Sequence, residues 1–398
     1  MDLYSKNTML WVLGFMLFLA NGDNYAAASL LNDIAVDLDL TLSKAALSVM
    51  AYMMSFGLFT LVFGPLSDRF GKVKVFLTAS MGTAVFSILG AFAFDLPSLV
   101  VLRAINGMFG AGIFPVAFAL IGDCFDAEER QMAIAKTMGM AFLGAATATA
   151  IGGAVAYWGS WRFVYLIYGI AELILVVMMM RILKKDKPSL NRIPSWVAYR
   201  RVWSHLRFMR LTFVIFWVGF SVFGTFTYSG ILIQQSTSYT VLTVGLFLSL
   251  FGVGTVAGGR LAPMLRRKTR NAFLVITGFL GFGSMLILSA GLPIGFTAMG
   301  LLGFGMAFVL LQSTLVATII EKHPEIKGTV MSMSGFNLFL GGACGTALNA
   351  GVMNAHGPEV IFYYASFLFL TASLLAAVFV ARFEMRKKIA LRSCEVVY

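Results

Sequence analysis

The sequence predicts an all-α membrane protein of twelve transmembrane helices arranged as two six-helix halves. Three observations carry that expectation. Of the 398 residues, 59% are hydrophobic and only 12% are charged, about half the charged fraction of an ordinary soluble domain. The mean hydropathy is +0.86. One soluble core cannot absorb so much apolar surface, but a bilayer can, because hydrocarbon is then the solvent. The apolar residues also fall into twelve stretches near the roughly 20 residues that span a bilayer. Finally, the basic residues collect in alternate gaps between those stretches, as positive charge does on the cytoplasmic side of membrane proteins.

In order, the stretches lie near 9–31, 45–66, 73–94, 98–121, 133–157, 162–182, 211–233, 241–263, 272–290, 295–319, 329–353 and 359–381. The first has no small-residue cleavage site after a short apolar core, so it reads as a retained span and not a signal peptide. Placing the N-terminus inside puts 27 of the 30 Lys and Arg residues in inside segments, all but Lys44, Arg103 and Arg162. Both termini are then cytoplasmic. The longest polar interruption divides the chain into an N-terminal half over 1–182, a cytoplasmic basic linker over 183–210 and a C-terminal half over 211–398.

The halves repeat. Gly57, Gly64 and Leu66 in span 2 return as Gly252, Gly259 and Leu261 in span 8, at an offset of 195 residues. Gly107, Gly110 and Gly112 in span 4 return as Gly300, Gly303 and Gly305 in span 10, at an offset of 193. Two six-helix halves joined by a basic linker are a transporter architecture, with the site at their interface near mid-membrane.

Several functions are excluded. The net charge of +12 is a topology signal, which removes nucleic acid as a partner. Cys124, Cys344 and Cys394 have no metal spacing and an odd count, so they give no disulfide framework. His205, His323 and His356 all fall in loops by this reading, and no metal or cofactor is expected. The glycine pattern at 107–112 lies inside an apolar span with no preceding strand, so it is not a nucleotide loop. An intramembrane enzyme needs a nucleophile–base or metal constellation, and by this reading no histidine lies in a span, which argues against most of them. The chain is expected to be no enzyme.

The segment between spans 2 and 3 reads Gly64-Pro-Leu-Ser-Asp68-Arg69-Phe-Gly71-Lys72-Val73-Lys74. It resembles the signature loop of the major facilitator superfamily, glycine–x–x–x–Asp–Arg–x–Gly–basic–basic, with Val73 at the second basic position. The resemblance implies the major facilitator fold and a loop that latches the halves in one conformation. Gly64 would allow close packing, Gly71 a tight turn, and Asp68, Lys72 and Asp123 a charge cluster. Span 4 begins Arg103-Ala-Ile-Asn106-Gly107, similar to the family's Arg–x–x–Gln–Gly motif with Asn106 in place of glutamine. The Gly-Pro pair of the family's antiporters is replaced here by Ala148 and Thr149.

Ionisable residues at membrane depth cost roughly 2.5–3.5 kcal/mol on insertion scales, so they are functional candidates by default. Asp23 lies in span 1 and matches the span-1 acid of drug/proton antiporters. Arg103 in span 4 could hold ionised Asp23 or an anionic substrate. Glu172 lies near the middle of span 6, a peripheral span in this fold, facing either lipid or a neighbouring helix. These three are the candidates for proton coupling. Neutral polar groups that could complete a substrate pocket are Asn24, Tyr25, Tyr52, Asn106, Tyr228, Gln312 and Asn337. The resemblance implies a proton-coupled antiporter exporting small amphipathic organic compounds, of the multidrug efflux type. The alternatives are an exporter of one metabolite, such as a metallophore or sugar, and an uptake symporter. A monomer in a bacterial plasma membrane is expected, with protons, a small-molecule substrate and the lipid bilayer as partners.

Overall fold

The computed structural model describes residues 3–183, 206–236, 239–269, 272–322 and 327–395. Fourteen helices are described: α1 (Leu3–Asp37), α2 (Leu42–Phe70), α3 (Lys72–Gly90), α4 (Leu96–Gly110), α5 (Ile113–Cys124), α6 (Ala127–Trp158) and α7 (Trp161–Ile182), then α8 (Leu206–Phe226), α9 (Ser229–Ser236), α10 (Val241–Thr269), α11 (Phe273–Ser289), α12 (Ile294–Lys322), α13 (Lys327–His356) and α14 (Pro358–Glu395). They make twelve spans, because α4 with α5 and α8 with α9 each form one interrupted span. Most of the expected linker, from 184 to 205, lies outside the described residues, as do His205 and His323. His356 closes α13 instead of lying in a loop.

The interruptions have local causes. In span 4 the break falls at Ala111 and Gly112. Pro115 has no N–H to give the carbonyl of Ala111, and glycines at 107, 110 and 112 weaken the helix around it. In span 7 the turn at Thr227 and Tyr228 is held by hydrogen bonds to α13. The first helix is 35 residues long, with Asn21, Asp23 and Asn24 mid-helix. It therefore falls short of the hydropathy of the ten long apolar spans.

Helix ends are specified by short-range chemistry. Asp95 and Ser98 form a reciprocal capping box at the start of α4, with Ser98 N donating to Asp95 Oδ1 at 2.9 Å and Asp95 N donating to Ser98 Oγ at 3.2 Å. Gly71, between α2 and α3, has φ +93°, a conformation that excludes side chains bearing a Cβ at low cost.

The packing repeats between halves. Span 1 packs on span 5 as span 7 packs on span 11; span 2 on span 4 as 8 on 10; span 3 on span 6 as 9 on 12. The halves meet through two equivalent seams, α2 on α13 and α6 on α10. The glycine repeat explains why the seams are close. A Cβ on Gly57 would press on the α13 backbone, 3.2 Å from Phe336 O and Leu340 N, and one on Gly252 would meet Ala146 of α6 at 2.0 Å. Gly64 does not make the close approach expected of it, since an added Cβ would meet Ser332 Oγ only at 3.8 Å. The span 4/10 match is not kept position for position. Gly107 packs on a span 2 carbonyl, Tyr52 O, whereas in span 10 it is Gly305, not Gly300, that packs on a span 8 carbonyl, Phe251 O.

Candidate functional site: a buried charge cluster and an aromatic bridge

Helix α1 brings Asp23 and α4 brings Arg103 into one interior. Arg103 Nη1 lies 3.4 Å from Asp23 Oδ1 and 3.5 Å from Oδ2, and both side chains are about 2% exposed. Arg103 therefore does not snorkel to the surface. Its guanidinium sits between two aromatic rings, 4.5 Å from the centroid of Tyr52 and 4.9 Å from that of Tyr165. Such stacking attracts a cation to the electron-rich ring face. Arg103 Nη1 is also 3.5 Å from Asn106 Oδ1, and Asn106 Nδ2 donates to Thr83 O at 3.0 Å. That second bond orients the amide so that its oxygen faces the guanidinium.

Glu172 is fully buried, so it faces helices and not lipid. On α7 it shares a face with Tyr165 and Tyr168 at helical spacing. Tyr168 packs against Gly22, where an added Cβ would meet its ring at 2.4 Å, next to Asp23. Thr83 lies beside Glu172, yet its hydroxyl donates to the carbonyls of Ala79 and Ser80. Neither Glu172 oxygen has a hydrogen-bond partner among the described residues, nor do Arg103 Nε and Nη2 or the hydroxyls of Tyr165 and Tyr168.

The cluster lies wholly within the N-terminal half. Tyr52 connects it to the other half. One face of its ring receives Arg103, and the ring lies 5.9 Å from Phe56. Phe56 in turn stacks 4.1 Å from Phe339 of α13, and Phe339 lies 5.5 Å from Phe223 of α8. Tyr25 reaches the same group from α1, 6.0 Å from Phe223 and 6.1 Å from Phe226. A continuous aromatic bridge thus runs from the guanidinium across the interface. Sequence reading missed Phe56, Phe223, Phe226 and Phe339, along with Tyr165 and Tyr168, because 37 phenylalanines and 12 tyrosines hide six.

The remaining candidates are dispersed. Asn24 is buried next to Asp23, with its Oδ1 unpartnered among the described residues. Tyr228 donates to Thr346 O at 2.7 Å, and Asn337 donates to Met333 O in its own helix at 2.9 Å. Gln312 is half-buried, with its Oε1 likewise unpartnered. At the expected latch, Lys72 Nζ pairs with Asp123 across α3 and the end of α5. Arg69 is exposed, its guanidinium over the Phe70 ring. The Asp68 side chain lies outside the described ones. On the opposite face, Arg162 pairs with Asp37 at 2.7 Å and donates to the carbonyls of Ala91 and Ala93, tying spans 1, 3 and 6 together.

Comparisons with known proteins agree with this architecture. Residues 13–346 match the family model of the Major Facilitator Superfamily. The bicyclomycin resistance protein homolog of Haemophilus influenzae is 23% identical over 356 residues, covering 83% of this chain and 85% of that one. The hexuronate transporter of Bacillus subtilis is 27% identical over 415 aligned residues, covering 95% and 96%. The crystal structure of a point mutant of the nucleoside transporter NupG superposes with a TM-score of 0.75 at 14% identity, covering 95% of this chain and all of that one. This multi-pass membrane protein belongs to the Major Facilitator Superfamily.

Proposed function

We propose that the chain is a proton-coupled antiporter in a bacterial plasma membrane, with both termini cytoplasmic, exporting small amphipathic organic compounds by alternating access. The observation that carries this reading is the Asp23–Arg103 pair, buried in one half and joined through Tyr52 to the aromatic interface between halves. Protonating Asp23 removes the charge that holds Arg103. The guanidinium then changes its hold on Tyr52, and the change is delivered at the seam between α2 and α13. One proton moving through 100 mV supplies about 2.3 kcal/mol, enough for a cargo gradient of roughly 50-fold.

The aromatic wall favours flat, apolar-faced cargo, which ring stacking would hold. Lys72 with Asp123 would hold the cytoplasmic ends of spans 3 and 4 together within the N-terminal half. Neither role depends on the protein being more than a monomer.

In vesicles of purified protein loaded acid inside, with ethidium as the probe, ethidium should accumulate as protons leave, and Asp23→Asn should abolish the accumulation. Wild-type ethidium movement that ignores the gradient, or gradient-driven accumulation that survives Asp23→Asn, refutes the proposal. A second reading, uptake of an organic anion by symport, is favoured by the near full-length similarity to the hexuronate transporter. Glucuronate uptake under an acid-outside gradient would decide for it.

A further inference from the structure

The buried cluster holds more acid than base. Two carboxyl groups, Asp23 from α1 and Glu172 from α7, share the interior with one guanidinium, and all three are buried. Arg103 offers Asp23 only Nη1, while Nε and Nη2 have no acceptor among the described residues. Glu172 has the complementary lack, two oxygens without a donor.

Helix geometry puts the groups beside the two lacks on one buried face of α7. Along one face of α7, Tyr165 lies over Arg103, Tyr168 lies against Gly22, and Glu172 follows one turn later beside Thr83. Asn106 connects the same points from the other side, since it accepts from Arg103 and donates to Thr83 O. Other groups that face Glu172 do not supply positive charge. Helix α1 brings Asp23, α2 brings Tyr52, and α3 brings the hydroxyl of Thr83. Helix α7 itself brings Tyr165 and Tyr168, and α6 carries titratable residues only towards its two ends. With both acids ionised, an uncompensated negative charge would stand in a buried interior at membrane depth, and one proton removes it.

We propose that Asp23 and Glu172 form a one-proton pair around Arg103, in which one acid carries the proton, the other holds the guanidinium, and the two exchange roles. In the arrangement seen here Arg103 holds Asp23, so the proton is on Glu172. A proton arriving at Asp23 forms its O–H bond and breaks the ion pair. The freed guanidinium turns its Nε and Nη2 edge to Glu172, whose O–H bond breaks and releases one proton to water. One proton enters and one leaves, and the cluster returns to zero charge. The two macroscopic titration steps then belong to the pair and not to either residue.

This deepens the reading of the cluster as the proton site and rests on it. The test counts protonated buried carboxyl groups by the infrared C=O stretch of purified, cargo-free protein at neutral pH. Deuterium exchange assigns the band, and a monodisperse elution profile certifies folding. The wild type should show one such band. Glu172→Gln should lose it, and Glu172→Asp should restore it at a shifted frequency. Asp23→Asn should also lose it, although Glu172 is intact, because Arg103 then pairs with Glu172. Arg103→Gln should double it. A band that survives Asp23→Asn at full strength makes Glu172 a fixed neutral side chain and overturns the exchange. A wild type with no band overturns the shared proton. The correct band pattern together with no proton-driven ethidium movement would instead refute antiport and leave the pair standing.

Discussion

Replacing Arg103 with glutamine removes the one cation from a wholly buried cluster. Asp23, about 2% exposed and paired only through Nη1, would then stand uncompensated. Breaking a buried ion pair by removing one partner costs about 3–5 kcal/mol. A proton can substitute for the lost guanidinium, at a cost that rises by about 1.4 kcal/mol for each pH unit above the carboxylate range. The deficit of Arg103→Gln should therefore be largest at alkaline pH and shrink as pH falls. At roughly 2 °C per kcal/mol for a large chain, the thermal midpoint in detergent should drop by about 6–10 °C near pH 8. Most of that should return near pH 5. The assay is a thermal scan of both proteins across that range at one scan rate, because unfolding of such proteins is often irreversible. A deficit that is equal at both pH values would show that no carboxylate depends on Arg103 for its charge balance.

Other substitutions separate packing from function. Gly107→Val should destabilise by about 1–3 kcal/mol or prevent folding, because a Cβ there would lie 2.3 Å from Tyr52 O. Gly64→Ala has room in this conformation and should gain up to about 1 kcal/mol of helix propensity; purified yield and thermal midpoint distinguish the two. Lys72→Ala should cost about 1–3 kcal/mol, because the Lys72 side chain is buried although Asp123 is half exposed, so truncation removes packed stem as well as the ion pair. If the pair is a latch, ethidium flux per folded transporter should fall, and flux equal to wild type would make it a topology charge only. The Ser98 hydroxyl and amide hold the Asp95 carboxyl below its ordinary range. That stabilisation is present above the ordinary carboxylate range and is lost as pH falls through the depressed value. The advantage of wild type over Asp95→Ala should accordingly fade in acid, read as the pH at which their midpoints converge.

What the sequence made legible follows from what a bilayer penalises. Twelve apolar stretches and three embedded ionisable residues stand out because charge at membrane depth is rare, and Asp23 and Arg103 do meet. Glu172 stood out too, but its burial depends on how α7 is rotated against α1 and α3, which hydropathy does not encode. The breaks in spans 4 and 7 were invisible to hydropathy, since in span 4 what is lost is the hydrogen bond that Pro115 cannot give to Ala111 O, and not apolarity. Pro115 was the available signal. The aromatic bridge could not be read, because Phe56 and Phe339 differ from lipid-facing phenylalanines only in tertiary position. Glycine spacing identified the repeat but not the job of each glycine, as Gly57 makes the contact that Gly64 does not.

Proton coupling through Asp23 is tested most directly by ethidium flux in oriented vesicles under a pH gradient imposed in each direction. Reversing the gradient should reverse the flux, and Asp23→Asn should leave a flux indifferent to the gradient. Gradient-driven flux of undiminished size in Asp23→Asn would contradict the coupling.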